Sequence, residues 1–154
     1  MLNPKQIITD LRRLGVKNDD IIVVHSSYNG LRGEDKIDGG PEAVIEALKE
    51  SVSEGTLIIP TFSYKNVDLD NRFFDVSETP VCIGVLPETM RQSEGVFRSV
   101  HPTHSLAAWG KDAEDFTKNH YIDHPPVGVN SPLSEVYRRG GKIVMLGAPF
   151  ARNT

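Results

Sequence analysis

The chain has 154 residues, 38% hydrophobic, 25% charged and 7% aromatic, with 13 glycines and 10 prolines. That profile belongs to one globular domain that buries its core without disulfides or a structural metal, and it excludes a disordered chain, a fibre or a two-domain enzyme. Seventeen Lys+Arg against 21 Asp+Glu leave a formal charge of -4, so no net positive field favours nucleic acid as a partner.

In chain order, Asn3 is placed to cap a helix with Pro4 at its first position and Gln6 reaching back, and Ile7, Ile8, Leu11 and Leu14 form its apolar stripe up to Gly15. The amino end lacks the apolar core of a signal peptide, and no stretch approaches the about 20 apolar residues of a membrane span, so a cytoplasmic protein with no membrane partner is expected. The run Ile21-Ile22-Val23-Val24 reads as a strand buried on both faces and ends in His25-Ser26-Ser27. A Gly-rich loop leads to Pro41, where a helix carrying Ala43, Val44, Ala47, Leu48 and Val52 begins. A second apolar strand, Leu57-Ile58-Ile59, runs into Pro60-Thr61-Phe62-Ser63, which completes a βαβ unit with parallel strands as the default.

From Tyr64 to Pro80 the chain is polar and irregular and reads as a binding flap. Cys82, the one cysteine, lies between Val81 and Ile83 and reads as a buried, reduced thiol. Ile83 to Met90 reads as a short helix and Ser105 to Trp109 as a further strand. Asp112 starts a helix that fades near His120, and Ser131-Pro132 opens another that runs through Tyr137. Ile143-Val144-Met145-Leu146-Gly147 is a third strongly apolar strand. Together these elements predict a single α/β domain over 1–154, a mainly parallel sheet flanked by helices. Because only one helix adjoins the last strand in sequence, truncation at the carboxyl end is also expected.

In such a sheet ligands bind beyond the carboxyl ends of the strands, where loops and helix N-termini present unpaired donors. Three polar sets fall there: His25-Ser26-Ser27, Thr61 with Ser63, and Arg152-Asn153-Thr154, so one pocket lined by all three is expected. His101 with His104, and His120 with His124, have spacings compatible with metal ligation, but no second cysteine or matched carboxylate completes a set, and no metal is expected. His25-Ser26-Ser27-Tyr28-Asn29 has no glycine beside either serine, so it is not a hydrolase elbow, and neither a dinucleotide fingerprint nor a Walker A sequence occurs. The loop acids Glu34, Asp35, Asp38, Asp68 and Asp70 would raise the local concentration of a polycationic substrate, and Arg98 has the fork geometry that suits a phosphate.

The string His25-Ser26-Ser27, then Gly39-Gly40-Pro41, then Gly55-Thr56-Leu57-Ile58-Ile59-Pro60-Thr61-Phe62-Ser63 resembles the start of the aminoglycoside 3-N-acetyltransferases. Phe74-Asp75, Thr79-Pro80, Gly84, the string Arg98-Ser99-Val100-His101-Pro102-Thr103-His104-Ser105, Ser131-Pro132-Leu133, Leu146-Gly147 and Asn153-Thr154 continue it in the family's order. The resemblance implies transfer of acetyl from acetyl-CoA to the 3-amino group of a deoxystreptamine aminoglycoside. It also implies that His25, Ser26, Ser27, Thr61, Ser63, Arg98, Ser99, His101 and Ser105 line the CoA region. The family's general base, a histidine about one helical turn after Asn-Thr, would lie beyond Thr154, so little turnover is expected of these residues. His101, His104, Asp68 and Asp70 stand as substitutes for proton transfer or amine binding. An amino sugar of surface polysaccharide synthesis is the alternative acceptor, and a non-catalytic CoA-binding fragment is the non-enzyme alternative. The sequence leaves the oligomeric state open.

Overall fold

A five-stranded sheet with the order β3-β4-β2-β1-β5 organises the protein, and the computed structural model describes residues 3–152 of it. The strands are β1 (Ile21–Ser26), β2 (Thr56–Pro60), β3 (Phe97–Arg98), β4 (Leu106–Gly110) and β5 (Lys142–Leu146). The helices are α1 (Pro4–Arg13), α2 (Tyr28–Arg32), α3 (Gly40–Ser51), α4 (Val85–Gln92), α5 (Ala113–Thr117) and α6 (Pro132–Arg138). No helix among the described residues is long and apolar enough to cross a membrane.

The helix starts follow the expected capping. Asn3 Oδ1 accepts from the Lys5 N–H at 2.9 Å with Pro4 in the first turn, and Ser131 Oγ accepts from Ser134 N–H at 3.3 Å ahead of α6. The period-2 alternation of the strands then sorts the core into two layers. Ile22, Val24, Leu57, Ile59 and Ala107 pack against Ile7 and Leu11 of α1, Ile45 and Leu48 of α3, and Leu86 and Met90 of α4. Val23, Ile58, Leu106 and Ala108 face Ala113 and Phe116 of α5 and Val136 of α6 on the other side.

The α/β class is as expected, and the sheet is mixed. β1 pairs in parallel with β2 and β5, while β4 runs antiparallel to both β2 and β3. The cause is the short 99–105 turn, which returns the chain from β3 straight into β4, so that β4 slots between β3 and β2. β5 also differs from the fully buried strand its apolar run predicts: Lys142 and Ile143 are exposed and only Leu146 is buried, because β5 is an edge with one strand beside it. Cys82 is a free thiol and half-buried rather than buried.

Candidate active site

β1, β2 and β5 all end at one rim, and a cavity of about 750 Å3 opens there. From β1 it takes His25 and Ser26, then Ser27 at the start of α2. From the end of β2 it takes Pro60, Phe62 and Tyr64, and from the entry to α4 Ile83 to Pro87. Ala148, Pro149 and Arg152 close it after β5. Ser27 is held twice: its N–H donates to the Leu146 carbonyl at 2.9 Å, and its Oγ accepts from Gly30 N–H at 3.1 Å, which starts α2. α2 comes this close to β5 because two glycines meet there. A Cβ on Gly30 would lie 1.9 Å from the Gly147 carbonyl oxygen, and Gly147 has φ +64°, where a side chain is strained.

The polar inventory of the cavity is short. His25 is 7% exposed, no ring nitrogen of it is hydrogen-bonded among the described residues, and burial lowers its pKa below the usual imidazole value, so the ring is neutral at pH 7. Ser26 Oγ is buried and has no partner among the described residues. The first-turn N–H groups of Val85 and Leu86 have no acceptor inside α4, and Pro87 offers none. Among the described residues, Arg152 is the single formally charged side chain on the wall, and no carboxylate lines it. Such a lining suits a long, partly apolar ligand with an anionic end and repels nothing negative. A second hollow of about 500 Å3 near Trp109 carries Glu42, Glu46 and Glu94, with Lys49 inside it, 2.8 Å from Glu46 and 5.5 Å from the Trp109 ring centroid.

The structure does not line this cavity with His25, Thr61 and Arg98 together: of the three expected polar sets, His25-Ser26-Ser27 and Arg152 line it. Alternation along the end of β2 turns Phe62 and Tyr64 into it and Thr61 and Ser63 away. Thr61 Oγ1 lies 3.2 Å from Ser105 Oγ, and Ser63 Oγ donates to the Pro102 carbonyl at 2.7 Å. Arg98 donates to Ser105 Oγ at 2.9 Å and to the carbonyls of Thr79 at 2.6 Å and Thr61 at 3.1 Å. Burial, with Arg91 nearby, pushes its pKa down to about 10. Ser99 and His101 lie behind this cluster. His101 Nδ1 accepts from His104 N–H at 3.0 Å, and its ring lies 4.9 Å from that of His120. His104 bonds Thr103 Oγ1 at 2.8 Å and leans on Phe62, ring centroids 4.7 Å apart. None of these side chains lines the cavity, since loop carbonyls and amides consume their polar atoms.

Asp68 is equally spent: its Oδ1 accepts from the N–H groups of Asp70 at 2.9 Å and Asn71 at 2.8 Å in an exposed turn, and neither Asp68 nor Asp70 reaches the cavity. Asn153 and Thr154 lie outside the described residues. No three His, Cys, Asp or Glu side chains among the described residues gather as metal ligands. The α4 entry was missed by sequence reasoning as a site element, although Gly84 with Pro87 near a helix start is a readable signal. Phe62 and Tyr64 carry no motif, and the alternation that continues from Pro60 past β2 is the one signal that could have found them.

Three comparisons with known proteins point the same way. A family model described as aminoglycoside 3-N-acetyltransferase matches residues 23–154. Aminoglycoside N(3)-acetyltransferase IV from a Salmonella species is 33% identical over 152 residues, which cover 97% of this chain and 55% of that protein. Among solved structures, AAC-IIIb in a binary complex with CoASH superposes with a TM-score of 0.83 at 32% identity, over 96% of this chain and 60% of that one. A mutant of aminoglycoside acetyltransferase AAC(3)-IVa in complex with gentamicin superposes with a TM-score of 0.83 at 31% identity, over 94% and 53%. The chain thus spans little more than half the length of the curated relatives it matches.

Proposed function

Because the chain belongs to the aminoglycoside 3-N-acetyltransferase family, we propose that its cavity holds acetyl-CoA for transfer of the acetyl group to the 3-amino group of a deoxystreptamine aminoglycoside. The observation that carries this reading is the charge of the cavity wall. Among the described residues it bears Arg152 and the open start of α4 and no carboxylate, so it favours the phosphates and amide-rich arm of CoA over a polycationic antibiotic. A solved relative bound to CoASH and another bound to gentamicin support both halves of the reading.

In the transfer, the amine lone pair adds to the thioester carbonyl, the oxyanion collapses, the C–S bond breaks and the thiolate takes a proton as CoA leaves. An ammonium has no lone pair, so a base must lie within about 3 Å of the nitrogen, directly or through one water. Of the five histidines, only His25 lines the cavity, and its neutral ring can accept that proton. His101 and His104 stand outside the cavity lining and use Nδ1 in backbone and hydroxyl contacts, which supports His25 over them as the base. His25 nonetheless stands on the same wall as the proposed CoA site, so we expect CoA binding to be strong relative to turnover by these 154 residues.

The test is thermal unfolding with and without CoA, followed by thiol release from acetyl-CoA with gentamicin. A CoA-dependent rise in midpoint and slow, gentamicin-dependent thiol release are expected. No rise in midpoint contradicts the cofactor assignment, and a rise without any thiol release restricts the chain to CoA binding.

A further inference from the structure

Arg98 is a half-buried cation that no carboxylate hydrogen-bonds among the described residues. Every recorded acceptor of its guanidinium is neutral: Ser105 Oγ at 2.9 Å, and the carbonyl oxygens of Thr79 at 2.6 Å, Thr61 at 3.1 Å and Val76 at 3.3 Å. Its planar face lies 5.1 Å from the centre of the Phe74 ring. Five donors in a rigid fork suit such a set, and a lysine ammonium cannot reproduce it.

The acceptors lie on two different stretches of chain. Thr61 ends β2, the strand whose next residues, Phe62 and Tyr64, form one wall of the cavity. Val76 and Thr79 belong to the turn that leads through Cys82 and Ile83 into α4, the other wall. The same turn is held by Arg91, which donates to the Ser77 carbonyl, and by Glu88, whose Oε2 accepts from Val81 N–H at 2.8 Å. One backbone bond, Cys82 N–H to the Phe62 carbonyl at 2.8 Å, joins the walls directly.

We infer that Arg98 is a positioning residue that spans the two walls of the cavity and sets the gap between Phe62 and the start of α4. The inference rests on the acetyl-CoA reading for what the gap holds, but not for the clamp itself. It replaces the phosphate-binding role expected from sequence: the donors that would grip a phosphate already bond Thr61, Thr79 and Ser105.

Arg98→Lys keeps the charge and removes the fork, so it separates the two roles. Hydrogen exchange followed by mass spectrometry over residues 76–86 reads the clamp without any ligand. Arg98→Lys is expected to speed exchange there about tenfold, since at least two of the bonds are lost, while β1 and β2 keep their protection. Titration with CoA and with pantetheine, which carries no phosphate, reads the gap: the variant should weaken both by the same factor. Unchanged exchange overturns the inference, and so does weakened CoA binding with pantetheine binding intact, the pattern of a phosphate ligand. Were the wild-type chain to bind neither compound, the acetyl-CoA reading would fail while the exchange result still decided the clamp. Should Arg98→Lys not fold, Ser105→Ala removes one acceptor and should speed exchange of the same segment about threefold; no change there would equally overturn the clamp.

Discussion

Ser99 Oγ lies 2.8 Å from Nδ1 of His120, inside the protein, with both side chains wholly buried. The other ring nitrogen of His120 lies 3.1 Å from the Pro126 carbonyl, which can only accept, so Nε2 carries the proton and Nδ1 accepts from Ser99. Ser99 Oγ in turn accepts from Leu106 N–H at 2.9 Å, so the imidazole ties the 119–131 loop to the first residue of β4. His120→Ala strands a hydroxyl and a carbonyl and opens a cavity. Urea unfolding should show it less stable by about 2–4 kcal/mol, and a loss below about 0.5 kcal/mol would show that the relay carries no weight.

The same burial gives stability a defined pH window. His25, His101, His104 and His120 all have pKa values lowered by burial, with mutual repulsion adding at His101 and His120. Above about pH 6.5 these rings are neutral in folded and unfolded chains alike and contribute no slope. As pH falls below 6.5 the unfolded chain takes up protons first, so stability is lost down toward the lowered native values. The carboxylates with lowered pKa, Glu88 among them, lose their contribution only nearer pH 4. Urea midpoints should therefore be flat from pH 8 to 7 and fall from 6.5 to 5. A flat profile through pH 5 would refute the assignment.

Gly147 is where α2 touches the end of β5. A Cβ there would meet Leu31 N at 2.4 Å and Ser27 O at 2.6 Å, and its φ of +64° strains any side chain. Gly147→Ala is expected to cost about 3 kcal/mol or more and to displace Ser27 from the cavity wall. Thermal unfolding measures the first effect, and loss of CoA binding in the protein that remains folded measures the second.

Ser26 poses the opposite case. Its buried hydroxyl bonds nothing in the described structure, so Ser26→Ala should raise stability by about 1 kcal/mol while weakening CoA binding. A variant that is both less stable and equally avid for CoA would show that the hydroxyl serves the fold rather than a ligand.

Much of the fold was legible because the apolar runs Ile21–Val24 and Leu57–Ile59 sit in central strands packed on both faces, and because Asn3-Pro4 and Ser131-Pro132 announce helix starts. The reversal of β4 was not, since nothing in Ser105–Trp109 itself encodes which way a neighbouring strand runs. His25 to Ser27 were correctly placed at the rim. Thr61, Ser63, Arg98, Ser99, His101 and Ser105 come to the same edge of the sheet, yet they bond one another and the loops, because residue type alone does not tell a ligand-facing hydroxyl from one that satisfies backbone. The start of α4 contributes mainly backbone N–H groups, which no side-chain motif reports.

The cavity between β1 and α4 is proposed to take the CoA moiety. Titrating CoA into isotopically labelled protein and following its amide and imidazole resonances tests it most directly. The largest shifts should fall on Ser26, Val85 and Leu86 and on the His25 ring, saturating together. Shifts that centre instead on Glu46 and Trp109, or no shifts at all, would contradict the account.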